Sequence, residues 1–249
     1  MEFFDVSGEK SVVFVTLHKC ASQLFARQVL PRLAGRTHVD YQFLHYENRL
    51  DSAVAVEGNA HAYGPVRILD DDHPSRGITE EILTGSRRQA LKAIFFIRDP
   101  RDILVSMYYS FGFSHPESPN PEIREYQRLR RQRIQALDID AFAMAEAPAV
   151  ERKFIRIFDL FQEWDDKVML KYEEMIGDFD RFFTRLHTFM KISAGFRKRM
   201  EQLTRPQEVE NVRQHKRLGQ PGNFRDKLKP ETIAALDQSL ARTLRDFQY

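Results

Sequence analysis

Two cations, each at the end of an apolar run and each followed by a hydroxyl, define the chemistry open to this chain. Lys19 lies in the polar stretch after Ser11-Val12-Val13-Phe14-Val15-Thr16-Leu17, with Ser22 close behind it. Arg98 comes 79 residues later, directly after Ala93-Ile94-Phe95-Phe96-Ile97, with Ser106 eight positions beyond. A β-branched and aromatic run, a tight polar loop and then an apolar-periodic stretch read as strand, loop and helix. The start of a helix offers unpaired N–H groups and the positive end of its dipole. A lysine in the preceding loop and a serine in the first turn then complete a cradle for a phosphate or sulfate group. The loop His18-Lys19-Cys20-Ala21-Ser22 lacks the glycines and spacing of a Walker A sequence, which disfavours an ordinary ATP site. At the second site the planar guanidinium of Arg98 can fork onto phosphate oxygens, and Ser106 can add a hydroxyl to the same group. Two anion sites imply a ligand phosphorylated at both ends.

On these residues the sequence resembles the sulfotransferases that use 3′-phosphoadenosine 5′-phosphosulfate (PAPS). Lys19-Cys20-Ala21-Ser22-Gln23-Leu24 matches their 5′-phosphosulfate loop, Lys-Ser-Gly-Thr-Thr-Trp, and Arg98 with Ser106 reproduces their 3′-phosphate pair. Val168-Met169-Leu170-Lys171-Tyr172-Glu173-Glu174 resembles the family segment whose tyrosine lies by the adenine, and Thr204 falls where a family threonine approaches the same base. Arg217-Leu218-Gly219-Gln220-Pro221-Gly222-Asn223-Phe224 resembles the Arg-Lys-Gly-x-x-Gly-x-Trp loop that closes over the 3′-phosphate. The resemblance implies a P-loop-like α/β fold in which a central parallel sheet is flanked by helices and the nucleotide lies across the strand ends. Two departures stand out. Leu24 replaces the tryptophan that stacks on adenine, so another ring is expected to hold the base, with Phe25 and Phe224 as candidates. Leu218 replaces the closing-loop lysine, leaving Arg217 and backbone amides such as that of Gly219 to grip the phosphate. The family's dimer segment is not recognisable after Phe224, so its dimer mode is not carried over.

The elements that must position these groups can also be read from the chain. Its 249 residues suffice for one sizeable α/β core, and no linker, low-complexity tract or repeat divides them. One domain over residues 1–249 is expected. The single cysteine excludes an internal disulfide, the acidic start lacks a basic leader, and no apolar run reaches the ~18 residues of a membrane span. These features give a cytoplasmic protein, unlike the membrane-anchored, lumenal branch of the resembling family. A net charge of +2 leaves no global field for nucleic acid. Asn120-Pro121 starts a helix running through Leu137, whose arginines Arg124, Arg128, Arg130, Arg131 and Arg133 read as a solvated face or as a surface for an acidic acceptor. Phe154, Ile157, Phe158 and Phe161, and again Phe179, Phe182, Phe183, Leu186, Phe189 and Met190, recur at helical spacing as core stripes. A last helix from Pro230 is expected to bury Ile233, Leu236, Leu240, Leu244 and Phe247.

The chemistry implied is in-line transfer of a sulfuryl group from a phosphate leaving group to an acceptor hydroxyl or amine. Negative charge grows on the leaving oxygen, so alignment and a well-placed cation do most of the work, and Lys19 is the candidate. No metal is required, and the eight histidines show no His-x-x-x-His spacing. A base must take the acceptor proton, and histidine suits neutral pH. The cytosolic members of the resembling family use a histidine before the 3′-phosphate arginine. Here the corresponding region is Val66-Arg67-Ile68-Leu69-Asp70-Asp71-Asp72-His73-Pro74, with His73 lying 25 residues before Arg98. His73 is the candidate base, the neighbouring aspartates are alternatives, and Arg67 is a weaker candidate for stabilising the transferring group.

Acceptor binding is expected from Phe111, Phe113 and His115, with Tyr108 and Tyr109 beside them. An aromatic lining suits a small molecule, a lipid or a sugar face. Two other readings stay open: a PAP- or PAPS-binding module without catalysis, PAP being the spent nucleotide 3′-phosphoadenosine 5′-phosphate, and an ATP-dependent phosphotransferase.

Overall fold

A computed structural model describes residues 10–33, 36–39, 61–74, 76–190, 192, 194–205 and 219–249. The β-branched run Ser11–Thr16 forms β1, and the polar turn after it leads into α1 (Ser22–Leu24). That helix continues as a π turn over Phe25–Val29 and a 3-10 turn over Leu30–Arg32. Then come β2 (Thr37–Val39), β3 (His61–Arg67), α2 (Arg76–Thr84) and β4 (Leu91–Ile97). After them follow α3 (Pro100–Tyr109), α4 (Pro121–Gln135), α5 (Ile139–Glu163) and β5 (Lys167–Lys171). The chain closes with α6 (Tyr172–Gly177), α7 (Phe179–Phe189), α8 (Ala194–Thr204), α9 (Phe224–Lys227), α10 (Pro230–Ser239) and α11 (Ala241–Phe247).

These elements group into two compact units, one of residues 1–97 with 159–205 and one of residues 98–158 with 206–249. The first carries a five-stranded sheet in the order β2-β3-β1-β4-β5, with every pairing parallel. Parallel strands are buried on both faces, and β1 and β4 accordingly read as continuous apolar runs. Their alternating side chains serve opposite faces. On one face of β4, Phe95 meets Phe161 and Trp164 edge-on; on the other, Phe96 meets Phe25 and Phe182. The sheet is thus flanked by helices on both sides. Thr16 ties β1 to β4 by donating its hydroxyl to the Phe96 carbonyl at 2.7 Å. The β1–β3 register slips between Val13 and Val15, where Gly64 passes so close that a Cβ would lie 2.9 Å from the Phe14 carbonyl.

The second unit is helical among its described residues. Asp99 caps α3 by accepting from the Arg101 amide at 2.9 Å, and Asn120 caps α4 by accepting from that of Glu122 at 3.0 Å. In both helices proline occupies the first turn, where its missing N–H costs no hydrogen bond. The last helix expected from the sequence is in fact two. Leu240, at φ −105 and ψ 14, leaves helical geometry between α10 and α11. Thr243 then turns inward, its amide and hydroxyl both donating to the Glu151 carboxylate, while Ile233 and Leu244 are only half-buried.

Candidate active site

The turn after β1 holds two non-glycine residues in the left-handed region, Lys19 at φ 69 and Ala21 at φ 50. Such geometry costs about 1 kcal/mol or more per residue and persists only where the surroundings impose it. Ala21 nevertheless starts the helix, since its carbonyl accepts from the Leu24 amide at 2.9 Å. Ser22, the next residue, is buried, and its hydroxyl accepts from Arg67 Nη2 at 2.8 Å and Nε at 3.3 Å. Arg67 ends β3 and pairs in register with Thr16, the last residue of β1. Arg67, the weaker candidate from the sequence, therefore contacts the loop after β1 through Ser22. Phe25 does not serve adenine: it is fully buried and stacked on Phe14, with ring centroids 4.2 Å apart.

His73 lies six residues beyond the end of β3 in the loop that leads to α2. The loop leaves the strand beside β1, with the Ile68 amide donating to the Thr16 carbonyl at 3.0 Å. Turns fix its far end: the His73 amide donates to the Asp70 carbonyl, and the Arg76 amide to that of His73, both at 3.1 Å. His73 is half-buried, whereas Asp71 and Asp72 are exposed and Asp71 pairs with Arg76 at 2.7 Å.

Arg98 follows β4 by one peptide bond and is 9% exposed. Its Nη2 lies 3.4 Å from Oδ2 of Asp102, one helical turn on, and Ser106 stands one turn further along the same face of α3. The Asp102 side chain is wholly buried, with Oδ2 accepting from the Gly222 amide at 2.8 Å and Oδ1 from the Phe224 amide at 3.0 Å. The sequence reading had no role for Asp102. The only available signal was its place four residues after Arg98. Phe224 is buried under two guanidiniums, those of Arg101 at 4.3 Å and Arg225 at 4.6 Å from its ring centre, and is not open to an adenine. Arg101 is itself fixed, gripping Asp99 through Nε at 3.0 Å and Nη2 at 2.7 Å, and Asp237 through Nη1 at 2.7 Å. Arg217 and Leu218 lie outside the described residues; Gly219, at φ 76, opens the turn that ends at Phe224.

At the end of β5, Lys171 pairs in register with Ile97, and Tyr172 opens α6 as a buried residue. Burial lowers the Lys171 pKa against the opposing pull of Glu173 and Glu174, and Arg185 and Arg181 lower it further. Thr204, at the last turn of α8, is buried and donates its hydroxyl to the Glu201 carbonyl at 2.9 Å.

The profile of the sulfotransferase domain matches residues 78–248, more than half of the chain. The chain belongs to the sulfotransferase domain family. The match covers the Arg98 turn, Tyr172 and the Gly219–Phe224 turn, while Lys19 and His73 lie before its start. Among solved structures, a mouse sulfotransferase, SULT7A1 complexed with PAP, is similar at 15% identity and a TM-score of 0.62, over 95% of this chain and 85% of that one. A retinol dehydratase in complex with androsterone and inactive cofactor PAP is similar at 14% identity and a TM-score of 0.50, over 95% and 81%. These likenesses show the fold. A search of curated proteins gave no match.

In this sulfotransferase the expected acceptor segment continues α3 as a π turn over Ser110–Ser114. Phe111 and His115 meet edge-on at 5.3 Å, while Phe113 is 55% exposed and packs against Tyr108 at 5.4 Å. Two arginines of α4 hold this segment, which corrects the solvated-face reading for them. Arg130 is 9% exposed, lying over the Phe111 ring at 4.6 Å and reaching Glu146 at 3.3 Å. Arg131 donates to the His115 and Phe111 carbonyls, and Gln135 donates to that of Gly112 at 2.8 Å. Arg128 does fit the solvated reading, paired with Glu125 at the surface. No helix among the described residues is long and apolar enough to cross a membrane.

Proposed function

We propose that this sulfotransferase moves the sulfuryl group of PAPS to a hydroxyl of a small-molecule, lipid or glycan acceptor by in-line displacement, releasing PAP. One observation carries the reading. The parallel register brings the C-terminal ends of β1, β3, β4 and β5 to one edge of the sheet, and a group the reaction needs follows each of them. Lys19 and Ser22 follow β1, Arg67 and His73 end or follow β3, Arg98 follows β4, and Tyr172 follows β5. Ligands of open α/β sheets bind outside these strand ends.

The donor set fits a nucleotide phosphorylated at both ends. Lys19, Ser22 and the Cys20–Leu24 turn suit the 5′-phosphosulfate, and Arg98, Ser106, Gly219 and the neighbouring Arg217 and Leu218 suit the 3′-phosphate. Tyr172 and Thr204 suit the base. When bound, PAPS supplies an activated sulfuryl group on a phosphate leaving group. Lys19 would offer its ammonium to the leaving phosphate oxygen, on which negative charge grows during transfer. Arg67 steadies Ser22 and adds a second cation at that end. His73 takes the proton from the acceptor oxygen as the new O–S bond forms. Phe111, Phe113 and His115 are the candidates for holding the acceptor, and the androsterone in the retinol dehydratase complex makes alcohols with apolar bodies the first acceptors to try. The reading also includes a single catalytic domain over 1–249, supported by a family match that runs through both compact units, and a cytoplasmic location, with which a single buried cysteine is consistent.

Thermal-shift titration with PAP, AMP, ADP and Mg-ATP tests the nucleotide, because a ligand bound by the native state alone raises Tm. Stabilisation by PAP and not by the others is the expected result. Stabilisation by Mg-ATP alone overturns it in favour of a phosphotransferase. PAP binding without transfer to phenols, steroid alcohols or sugars makes the chain a binding module.

A further inference from the structure

We propose that Asp102 is the positioning residue of the 3′-phosphate subsite, a buried latch that fixes Arg98 and the Gly222–Phe224 turn in the arrangement that selects a 3′-phosphorylated nucleotide. The inference rests on the assignment of Arg98 to that phosphate. A wholly buried carboxylate is expensive unless charge-assisted hydrogen bonds surround it, and here both oxygens are used. Oδ1 takes the Phe224 amide, and Oδ2 takes the Gly222 amide and faces the Arg98 guanidinium. Its position in the first turn of α3 adds the favourable end of the helix dipole. Two segments far apart in sequence, the one that carries Arg98 and the one that carries Gly222 and Phe224, therefore converge on one side chain.

The turn at the other end of this contact is built to be held. Gly222 sits at φ 81, a geometry suited to glycine, and a Cβ there would lie 2.6 Å from Nη1 of Arg225. Phe224 is pinned by Arg101, which Asp99 and Asp237 hold in turn.

Electrostatics alone gives the latch a distinctive sign. A carboxylate beside a phosphate-binding arginine repels the phosphate, so an Asp102 that served only as a counter-charge would weaken PAP binding, and Asp102→Asn would tighten it. A latch predicts the reverse. Asn offers one acceptor oxygen and a donor NH2, so one of the two amides loses its partner and Arg98 loses its anchor.

Isothermal titration of wild type, Asp102→Asn and Gly222→Ala with PAP and with adenosine 5′-phosphosulfate, which lacks the 3′-phosphate, separates these cases. The expected result is a loss of PAP affinity of about tenfold or more in Asp102→Asn, the range of one unsatisfied buried polar group, and a loss in the same direction in Gly222→Ala, where a side chain at φ 81 strains the turn. Affinity for adenosine 5′-phosphosulfate stays within about twofold of wild type, the scale of changes at sites outside the contact. Turnover at saturating PAPS changes less than KM for PAPS, and the two substitutions together lose less than the sum of their separate effects. Unchanged or tighter PAP binding in Asp102→Asn overturns the latch. If that variant does not fold, Gly222→Ala decides, with unchanged PAP affinity counting against the proposal. Wild-type protein that does not bind PAP removes the 3′-phosphate assignment and the latch with it, whereas normal wild-type binding with an indifferent variant removes the latch alone.

Discussion

Arg67 lays its guanidinium on the hydroxyl of Ser22, with Nη2 at 2.8 Å and Nε at 3.3 Å from the same oxygen. Two donors on one acceptor use a lone pair each, which orients the hydroxyl proton away from Arg67 and leaves it free to point into the loop. The contact thus does two things: it fixes Ser22 at the start of the helical segment and keeps a permanent cation next to the loop that follows β1. Arg67→Ala is expected to lower kcat about 10²-fold, the scale seen for one lost transition-state donor. Arg67→Lys should recover part of it, because a lysine keeps the charge but cannot fork. Steady-state transfer to a phenol or steroid alcohol checks this, and a fully active Arg67→Ala variant would show that the contact is structural only.

Lys19 and His73 have separable signatures. Lys19→Ala is expected to abolish turnover while the fold, followed by circular dichroism and melting, survives. Retention of most activity sinks the proposed mechanism. His73→Ala should lose turnover and still bind PAP, since the base contacts the acceptor and not the nucleotide. A fully active His73→Ala variant would turn attention to Asp70 first, because Asp71 and Asp72 are exposed and Asp71 is engaged by Arg76.

The parts of this site that could be read from the chain are those made by local sequence. Strands β1 and β4 announce themselves as unbroken β-branched and aromatic runs, and Lys19 and Arg98 are informative because each stands just after one. Asn120-Pro121 starts a helix by a capping rule that needs no tertiary knowledge. Asp102 was illegible for the opposite reason, since its role comes from amides 120 and 122 residues away. Charge patterning likewise could not tell Arg128, paired with Glu125 on the surface, from Arg130, buried against Phe111 only two positions later. Phe25 and Phe224 looked available for adenine by type and position. Burial gave one to Phe14 and the other to Arg101 and Arg225. The break at Leu240 was hidden because apolar spacing continues through it, while the inward turn of Thr243 depends on Glu151.

Ala21 offers a stability test that leaves the chemistry in place. An alanine at φ 50 and ψ 24 carries a steric cost that glycine escapes, partly offset by the greater freedom of glycine in the unfolded chain. Ala21→Gly is expected to stabilise the protein by about 0.5–1 kcal/mol. Urea denaturation should move its midpoint upward with an unchanged m value, and PAP binding should persist. A lower midpoint would mean that the strained turn is not what the folded protein adopts in solution.

Lys171 sets a pH dependence whose direction follows from its surroundings. Burial lowers its pKa, Glu173 and Glu174 oppose this, and Arg185 and Arg181 reinforce it. Arg185 also binds Glu174 at 2.9 Å, so that carboxylate is shared between the two cations. The unfolded chain therefore binds more protons than the folded one between the lowered value and the ordinary lysine value of 10.5. Stability rises with pH across that interval. Below it the cost of burying the ammonium is felt in full; above it both states hold a neutral amine and the cost is gone. Lys171→Met keeps the length of the side chain and removes the charge, so it is expected to raise stability at neutral pH and flatten the alkaline rise. Denaturation midpoints measured from neutral pH up to that lysine value test the point, and a variant with the wild-type slope would assign the rise to another group.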